Sequence, residues 1–228
     1  MKGTTRLLTG FLTLSVGSTA FVALASQGID RWELAGKIVD ARAPNQQALK
    51  AYSWNQRTEV KINGDVKVLR TEILRYASDG QLQRSPMGEQ PQQSSGRGLR
   101  GRKKASKQQE MKDWAAELAG VVASYGLPTP GEVLDFTSAA TLSEQGATLH
   151  AQAGGVLVPD DHLSIWYDRQ TMLVTRMQVQ TTHAGDAVQF ESTYRVLDSG
   201  VSTTERLSVR VQAQSIELTI ENFNYIRQ

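Results

Sequence analysis

Val60-Lys61-Ile62-Asn63-Gly64-Asp65-Val66-Lys67-Val68 is the stretch that decides the fold class. Val60 and Ile62 alternate with a charged neighbour, and Val66 and Val68 resume the alternation. Asn63-Gly64 between them supplies the two positive-φ residues that a tight hairpin turn needs. The pattern predicts two antiparallel strands with one apolar and one polar face. Toward the C-terminus the return strand is predicted to reach Tyr76, Asp79-Gly80 to turn the chain, and a third short strand to end near Pro86.

Working outward, Ile29, Trp32, Ile38 and Val39 lie at roughly helical spacing before the hairpin, and Pro44 predicts a break and restart ahead of Leu49 and Tyr52. On the other side, Met111, Trp114, Ala115, Leu118, Val121, Val122 and Tyr125 make one apolar stripe. They predict a helix that Gly126, Pro128 and Pro130 stop. From about Leu134 the chain reads as strand, with segments near 147–153, 162–168, 171–181, 187–197, 201–213 and 215–226. Short turns such as Gly154-Gly155, Asp168-Arg169, Ala184-Gly185-Asp186 and Asp198-Ser199-Gly200 separate them. Leu163, Ile165 and Tyr167 share a face, as do Val188, Phe190, Tyr194 and Val196, and Leu207, Val209 and Val211. The predicted class is mainly β within α+β: a strongly curved antiparallel sheet, an open half-barrel of about nine strands, with two amphipathic helical segments covering its apolar face.

The chain has 228 residues and no cysteine. That length suffices for a real core, and the missing thiols exclude disulfide scaffolds, Cys-ligated metals, thiol catalysis and lipidation at an N-terminal Cys. Lys2 and Arg6 are the only charged residues of 1–25, so the remainder balances its basic and acidic groups. A neutral remainder argues against nucleic acid as a partner.

Met1 to Arg6 is a short positive region, Leu7 to Val16 is mostly apolar, and Ala23-Leu24-Ala25 offers the small-x-small pattern of signal peptidase. Residues 1–25 are expected to be a signal peptide, and 26–228 a single exported domain that is soluble in a bacterial periplasm. The alternative is an uncleaved anchor over Leu7 to Ala25, which Thr9, Gly10, Thr13, Ser15, Gly17, Ser18 and Thr19 make a poor one.

Residues 84–109 change character. Met87 is the one large apolar residue of 84–96, too little to offset the entropy of ordering that stretch, so a mobile insertion is expected. Arg97, Arg100, Arg102, Lys103, Lys104 and Lys107 follow. In an exported chain their useful role is contact with an anionic membrane surface or an acidic periplasmic protein, and the plain alternative is a solvated loop. Gly96-Arg97-Gly98-Leu99-Arg100-Gly101 fits the glycine pattern of dinucleotide turns, but its Gln/Ser/Pro-rich approach is no strand, so no cofactor is expected.

His150, His162 and His183 are too scattered to predict a metal. Asp160-Asp161-His162 is expected to be a turn with a capping role rather than a general-base site. Neither His-Glu-x-x-His nor Gly-x-Ser-x-Gly occurs.

The sequence resembles the LolA/LolB-like lipoprotein-carrier superfamily of exported bacterial proteins. The features that carry the resemblance are the signal segment, a helix running into a strand at Leu49-Lys50-Ala51-Tyr52-Ser53-Trp54, the hairpins, the helical insertion, and a final meander ending Ile220-Glu221-Asn222-Phe223-Asn224-Tyr225. They span most of 30–228. The resemblance implies a cavity between half-barrel and helical lid that holds acyl chains. The missing lipidation Cys implies a soluble carrier or sensor, and the basic stretch at 84–109 departs from the lipoprotein carrier itself.

The expected function is therefore non-enzymatic binding of an apolar moiety, a lipid or lipoprotein acyl chain, in a hydrophobic cavity lined by Leu163, Ile165, Phe190, Tyr194, Leu207 and Val209 under a lid bearing Trp114 and Leu118. Trp166, Met172, Met177 and Phe223 are further aromatic and Met positions that fit either a cavity or a filled core. Arg97, Arg100, Arg102, Lys103 and Lys104 are the expected headgroup or partner contacts. The alternative is a periplasmic adaptor with a filled core that recognises a protein through the 84–109 loop or a free strand edge. A hydrolase built on Asp160, Asp161 or His162 is the third reading.

Overall fold

A computed structural model gives the architecture; it describes residues 30–88, 114, 117–126 and 129–228. The signal segment expected over 1–25 and the basic residues Arg97, Arg100, Arg102, Lys103 and Lys104 lie outside the described residues. Of the 84–109 stretch, 84–86 belong to a strand.

Helix α1 spans Arg31–Leu49. Asp30 caps it, its carboxylate accepting the Trp32 N–H at 2.9 Å. The break expected at Pro44 does not occur: the helix runs through it. Pro44 removes a donor to the carbonyl of Asp40, and both residues face solvent, where water replaces the missing bond. Helix α2 comprises 117–126 and, before them, Trp114, along the stripe read from the sequence.

Helix α3, Pro130–Ala139, replaces the strand or loop expected there. Thr129 and Glu132 form a reciprocal capping box, and Pro130 stands at the first helical turn. A proline there starts a helix instead of stopping one, because its missing N–H is unneeded and its φ is already helical.

The ten strands are β1 (Tyr52–Ile62), β2 (Asp65–Tyr76), β3 (Leu82–Pro86), β4 (Thr141–Gln145), β5 (Thr148–Gly154), β6 (His162–Asp168), β7 (Val174–His183), β8 (Asp186–Val196), β9 (Ser202–Val211) and β10 (Ile216–Arg227). They form one antiparallel sheet in the order β3-β2-β1-β10-β9-β8-β7-β6-β5-β4, an open, curved half-barrel. The additional strand is β4, a short Thr/Ser/Glu/Gln segment with little apolar alternation to reveal it. Asn63 and Gly64 take φ of 53° and 80°, so the deciding turn has the backbone its residues demand.

The register shifts between Ser53 and Asn55, Val60 and Lys61, Trp166 and Tyr167, and Thr193 and Tyr194. Such irregularities bend strands and increase twist, which curves the sheet. The helices cover one face, called inner here. Its buried residues include Leu149, Ala151, Leu163, Ile165, Val179, Val188, Phe190, Val209 and Val211, packed with Leu34 and Ile38 of α1, Leu118 and Tyr125 of α2, and Val133 and Phe136 of α3.

Candidate functional site

The site begins with how α1 is fixed. The Arg31 guanidinium donates from Nη1 to the carbonyls of Thr137 (2.8 Å), Ser138 (2.6 Å) and Ala140 (2.9 Å), capping the C-terminus of α3 from a different helix. Farther along α1, the Asn45 side chain donates to the Ser202 carbonyl (2.8 Å) and accepts the Ser202 N–H (2.7 Å). Arg42 reaches the Gly126 carbonyl of α2 at 3.4 Å. One end of α1 is thus strapped to α3 and the other to β9, leaving space between the helix and the inner face.

That space is a cavity of about 460 Å³, within the range typical of small-molecule sites. Its floor is Ile165 and Tyr167 of β6, Val174 and Met177 of β7, and Tyr194 of β8, with Met172 and Leu173 from the preceding turn. Tyr125 and Val133 close it from α2 and α3, while Ile38, Arg42, Asn45, Gln46, Leu49 and the capping Lys50 form its α1 wall. Tyr76, Ser202, Thr203 and Thr204 complete the far end. Two of the four register shifts fall beside Tyr167 and Tyr194, where they re-aim these side chains within the floor. Burial raises both phenols above the ordinary tyrosine range, so each stays protonated and able to donate. A smaller pocket of about 40 Å³, lined by Leu163, Phe136, Val156 and Leu157, shares Tyr125, Val133, Ile165 and Tyr167 with the larger one.

Of the residues expected to line the cavity, Ile165 and Tyr194 lie on the large one and Leu163 on its small neighbour. Leu118, Phe190 and Val209 are buried in the core, and Trp114 and Leu207 pack half-buried against it. Met172 and Met177, placed by sequence between cavity and core, line the cavity. The polar α1 residues Arg42, Asn45, Gln46 and Lys50 were not read as site residues. Their signal was a helix whose buried stripe is apolar at Leu34, Ala35 and Ile38 and then turns polar.

Asp161 organises the roof. Its side chain is fully buried and accepts the N–H groups of Val156 (2.6 Å), Leu157 (2.8 Å) and Val158 (3.1 Å) and the Tyr125 hydroxyl (2.7 Å). Burial pushes its carboxyl upward, but the Tyr125 hydroxyl and the three amides outweigh that and hold it below the ordinary aspartate range. Burial chiefly pushes the Tyr125 hydroxyl up to about 12. This is the capping role expected of Asp161, extended to a helix far away in sequence. His162 is exposed at the head of β6, His150 stacks on Trp166 at 4.4 Å, and His183 lies 3.6 Å from Glu117. Among the described residues, no three His, Asp or Glu side chains gather as a metal site.

A second cleft, of about 550 Å³, lies on the outer face among Arg57, Lys61, Arg206 and Arg210 and Glu59, Glu191, Glu217 and Glu221. Its charges answer one another, along β1 in Lys61–Glu59 (2.8 Å) and across β9 and β10 in Arg210–Glu217 (3.4 Å) and Arg206–Glu221 (3.5 Å). A cleft that neutralises itself in this way is a solvated sheet face. The inner cavity is the candidate site.

Among solved structures, the chain is similar to a LolA superfamily protein from Nitrosomonas europaea, at 9% identity over 88% of this chain and 94% of that one, with a TM-score of 0.39. It is also similar to a DUF1329 family protein from Desulfovibrio piger, at 9% identity over 87% and 92% of the two chains, with a TM-score of 0.37. No family model and no curated protein matches the sequence.

Proposed function

We propose that this protein is an exported, periplasmic binding protein that holds an apolar moiety, a lipid or a lipoprotein acyl chain, without covalent chemistry. In this reading 1–25 is a cleaved signal and 26–228 is one binding domain. The observation that carries it is the inner cavity of about 460 Å³, roofed by helices and floored by Ile165, Tyr167, Val174 and Met177. Burying an apolar chain there yields about 25 cal/mol per Å² of surface removed from water. Ile165, Tyr194 and Leu163 contact the ligand; Trp114, Leu118, Phe190, Leu207 and Val209 support the walls behind them. Arg97, Arg100, Arg102, Lys103 and Lys104 meet anionic headgroups when the protein visits a membrane.

Leu173→Trp tests the reading. Leu173 is half-buried at the cavity rim, so a larger ring enters the cavity without overpacking the core. Binding of a fluorescent fatty acid is expected to weaken by at least about tenfold while the unfolding midpoint holds. Unchanged binding in a folded variant would sink the cavity assignment.

The adaptor reading draws support from the outer face, where Ile73, Met87 and Ile226 are exposed around a cleft of about 620 Å³ beside the β3 edge. It predicts that Ile73→Lys abolishes capture of a protein partner and leaves lipid binding intact.

A further inference from the structure

The connection between β5 and β6 differs from the other turns between consecutive paired strands. In those, the residues exposed to solvent are Gly, Ala or polar, as at Asn63-Gly64, Asp79-Gly80, Ala184-Gly185 and Asp198-Ser199-Gly200. That is the ordinary composition of turns. Here the chain reads Gly155-Val156-Leu157-Val158-Pro159-Asp160, and Leu157 and Val158 stand 41% and 36% exposed.

The backbone holds them out. Gly155 donates its N–H to the Asp161 carbonyl (3.0 Å), Val156, Leu157 and Val158 donate theirs to the buried Asp161 carboxylate, and Pro159 has none to donate. Three amides fixed on one carboxylate, itself bonded to the Tyr125 hydroxyl of α2, give the tip a single shape. From 155 to 159 every backbone donor is therefore satisfied inside the loop. Desolvation of unpaired N–H groups is what bars most loops from an apolar medium, and this loop does not carry that cost. Its fit is to the boundary between headgroups and acyl chains, where water still reaches the carbonyls.

Size separates the possible occupants. Two exposed apolar side chains and a proline offer far less than the roughly 800 Å² per partner of a specific protein interface. A lipid surface accepts an apolar wedge of any size, and no residue of 153–159 is charged. We propose that the 156–159 tip inserts into the interface of a lipid bilayer and seats the protein there by apolar contact. Asp160, exposed beside the tip, repels anionic headgroups, so the seat is on neutral lipid and insensitive to salt. Val156 and Leu157 also line the small pocket that shares Tyr125, Val133, Ile165 and Tyr167 with the cavity, so a seated tip sets the roof of the cavity beside the bilayer. The inference needs the tip alone, and it stands or falls separately from the cavity reading.

Because the chain has no cysteine, Leu157→Cys labelled with the environment-sensitive fluorophore NBD reports from the tip alone. Asp198→Cys carries the same label in the β8–β9 turn, at the opposite end of the strands. With phosphatidylcholine vesicles, the emission is expected to shift to the blue at 157 and not at 198, equally at low and high salt. In the unlabelled protein Leu157→Asp, at an exposed position, is expected to weaken co-sedimentation with the same vesicles by about tenfold while the unfolding midpoint holds. No shift at 157, or equal shifts at both positions, overturns the inference. A shift that appears only on phosphatidylglycerol vesicles and vanishes with salt overturns it too, and assigns the contact to the basic residues of 97–104 instead.

Discussion

Asp161 shows how much one side chain is asked to hold. Its carboxylate satisfies three consecutive amides and a tyrosine hydroxyl, so Asp161→Asn loses charge-assisted bonds at a fully buried position. A loss of about 3 kcal/mol is expected in urea unfolding at neutral pH. Because the folded carboxyl sits below its ordinary value, its contribution is present above the unfolded pKa and is lost as pH falls through the folded one. The gap between the native protein and the variant should therefore close below about pH 4; a gap that stays constant to pH 3 contradicts the assignment. Thr58 gives the opposite sign. Its hydroxyl is buried in β1 with no hydrogen-bond partner among the described residues, so Thr58→Val removes an unmet polar group and is expected to stabilise by about 1 kcal/mol in the same assay.

Among the elements, α3 is the instructive one. Thr129→Ala breaks its capping box and should cost about 1 kcal/mol, read as a lower unfolding midpoint with α1 and the cavity retained. The box is plain in Thr129-Pro130-Gly131-Glu132, yet the two prolines read first as a stop, because a proline ends one helix and opens the next by the same loss of an N–H. Pro44 misleads in the same way: its cost depends on whether Asp40 faces water, which linear sequence does not state. The hairpin at Asn63-Gly64 was legible because local sterics alone specify it, and the one-faced strands because a period of two leaves no other packing. The cavity was half legible. Ile165, Tyr194 and the two methionines were named, but Phe190 and Val209 share their parity and sit in the core. Parity reports a face and carries no information about how far the facing helix stands off. Arg42 and Lys50 were missed because only the tethers at Arg31 and Asn45 turn their side of α1 toward the sheet.

At the scale of the whole molecule, the sheet is two sequence-contiguous meanders, β1–β3 and β4–β10, joined along the single seam of β1 and β10. The first meander is the weaker body: Val66, Val68, Leu69 and Leu82 are exposed on it, and β3 buries no residue. Amide hydrogen exchange should therefore show the first half of β2, and β3, each exchanging at least about tenfold faster than β7 to β9. Uniform protection across all ten strands would mean that the seam transmits the stability of the helix-covered side.

The seam also fixes an order of events. β1 is made early, and the partner that completes its pairing, β10, follows every other described strand. A chain emerging from the ribosome in that order carries the β1 edge unsatisfied until β10 appears, so the finished sheet cannot lock prematurely. In the export route proposed above, late closure keeps the chain passable through a pore before it folds, and the same delay leaves a bare strand edge for a holding chaperone to shield.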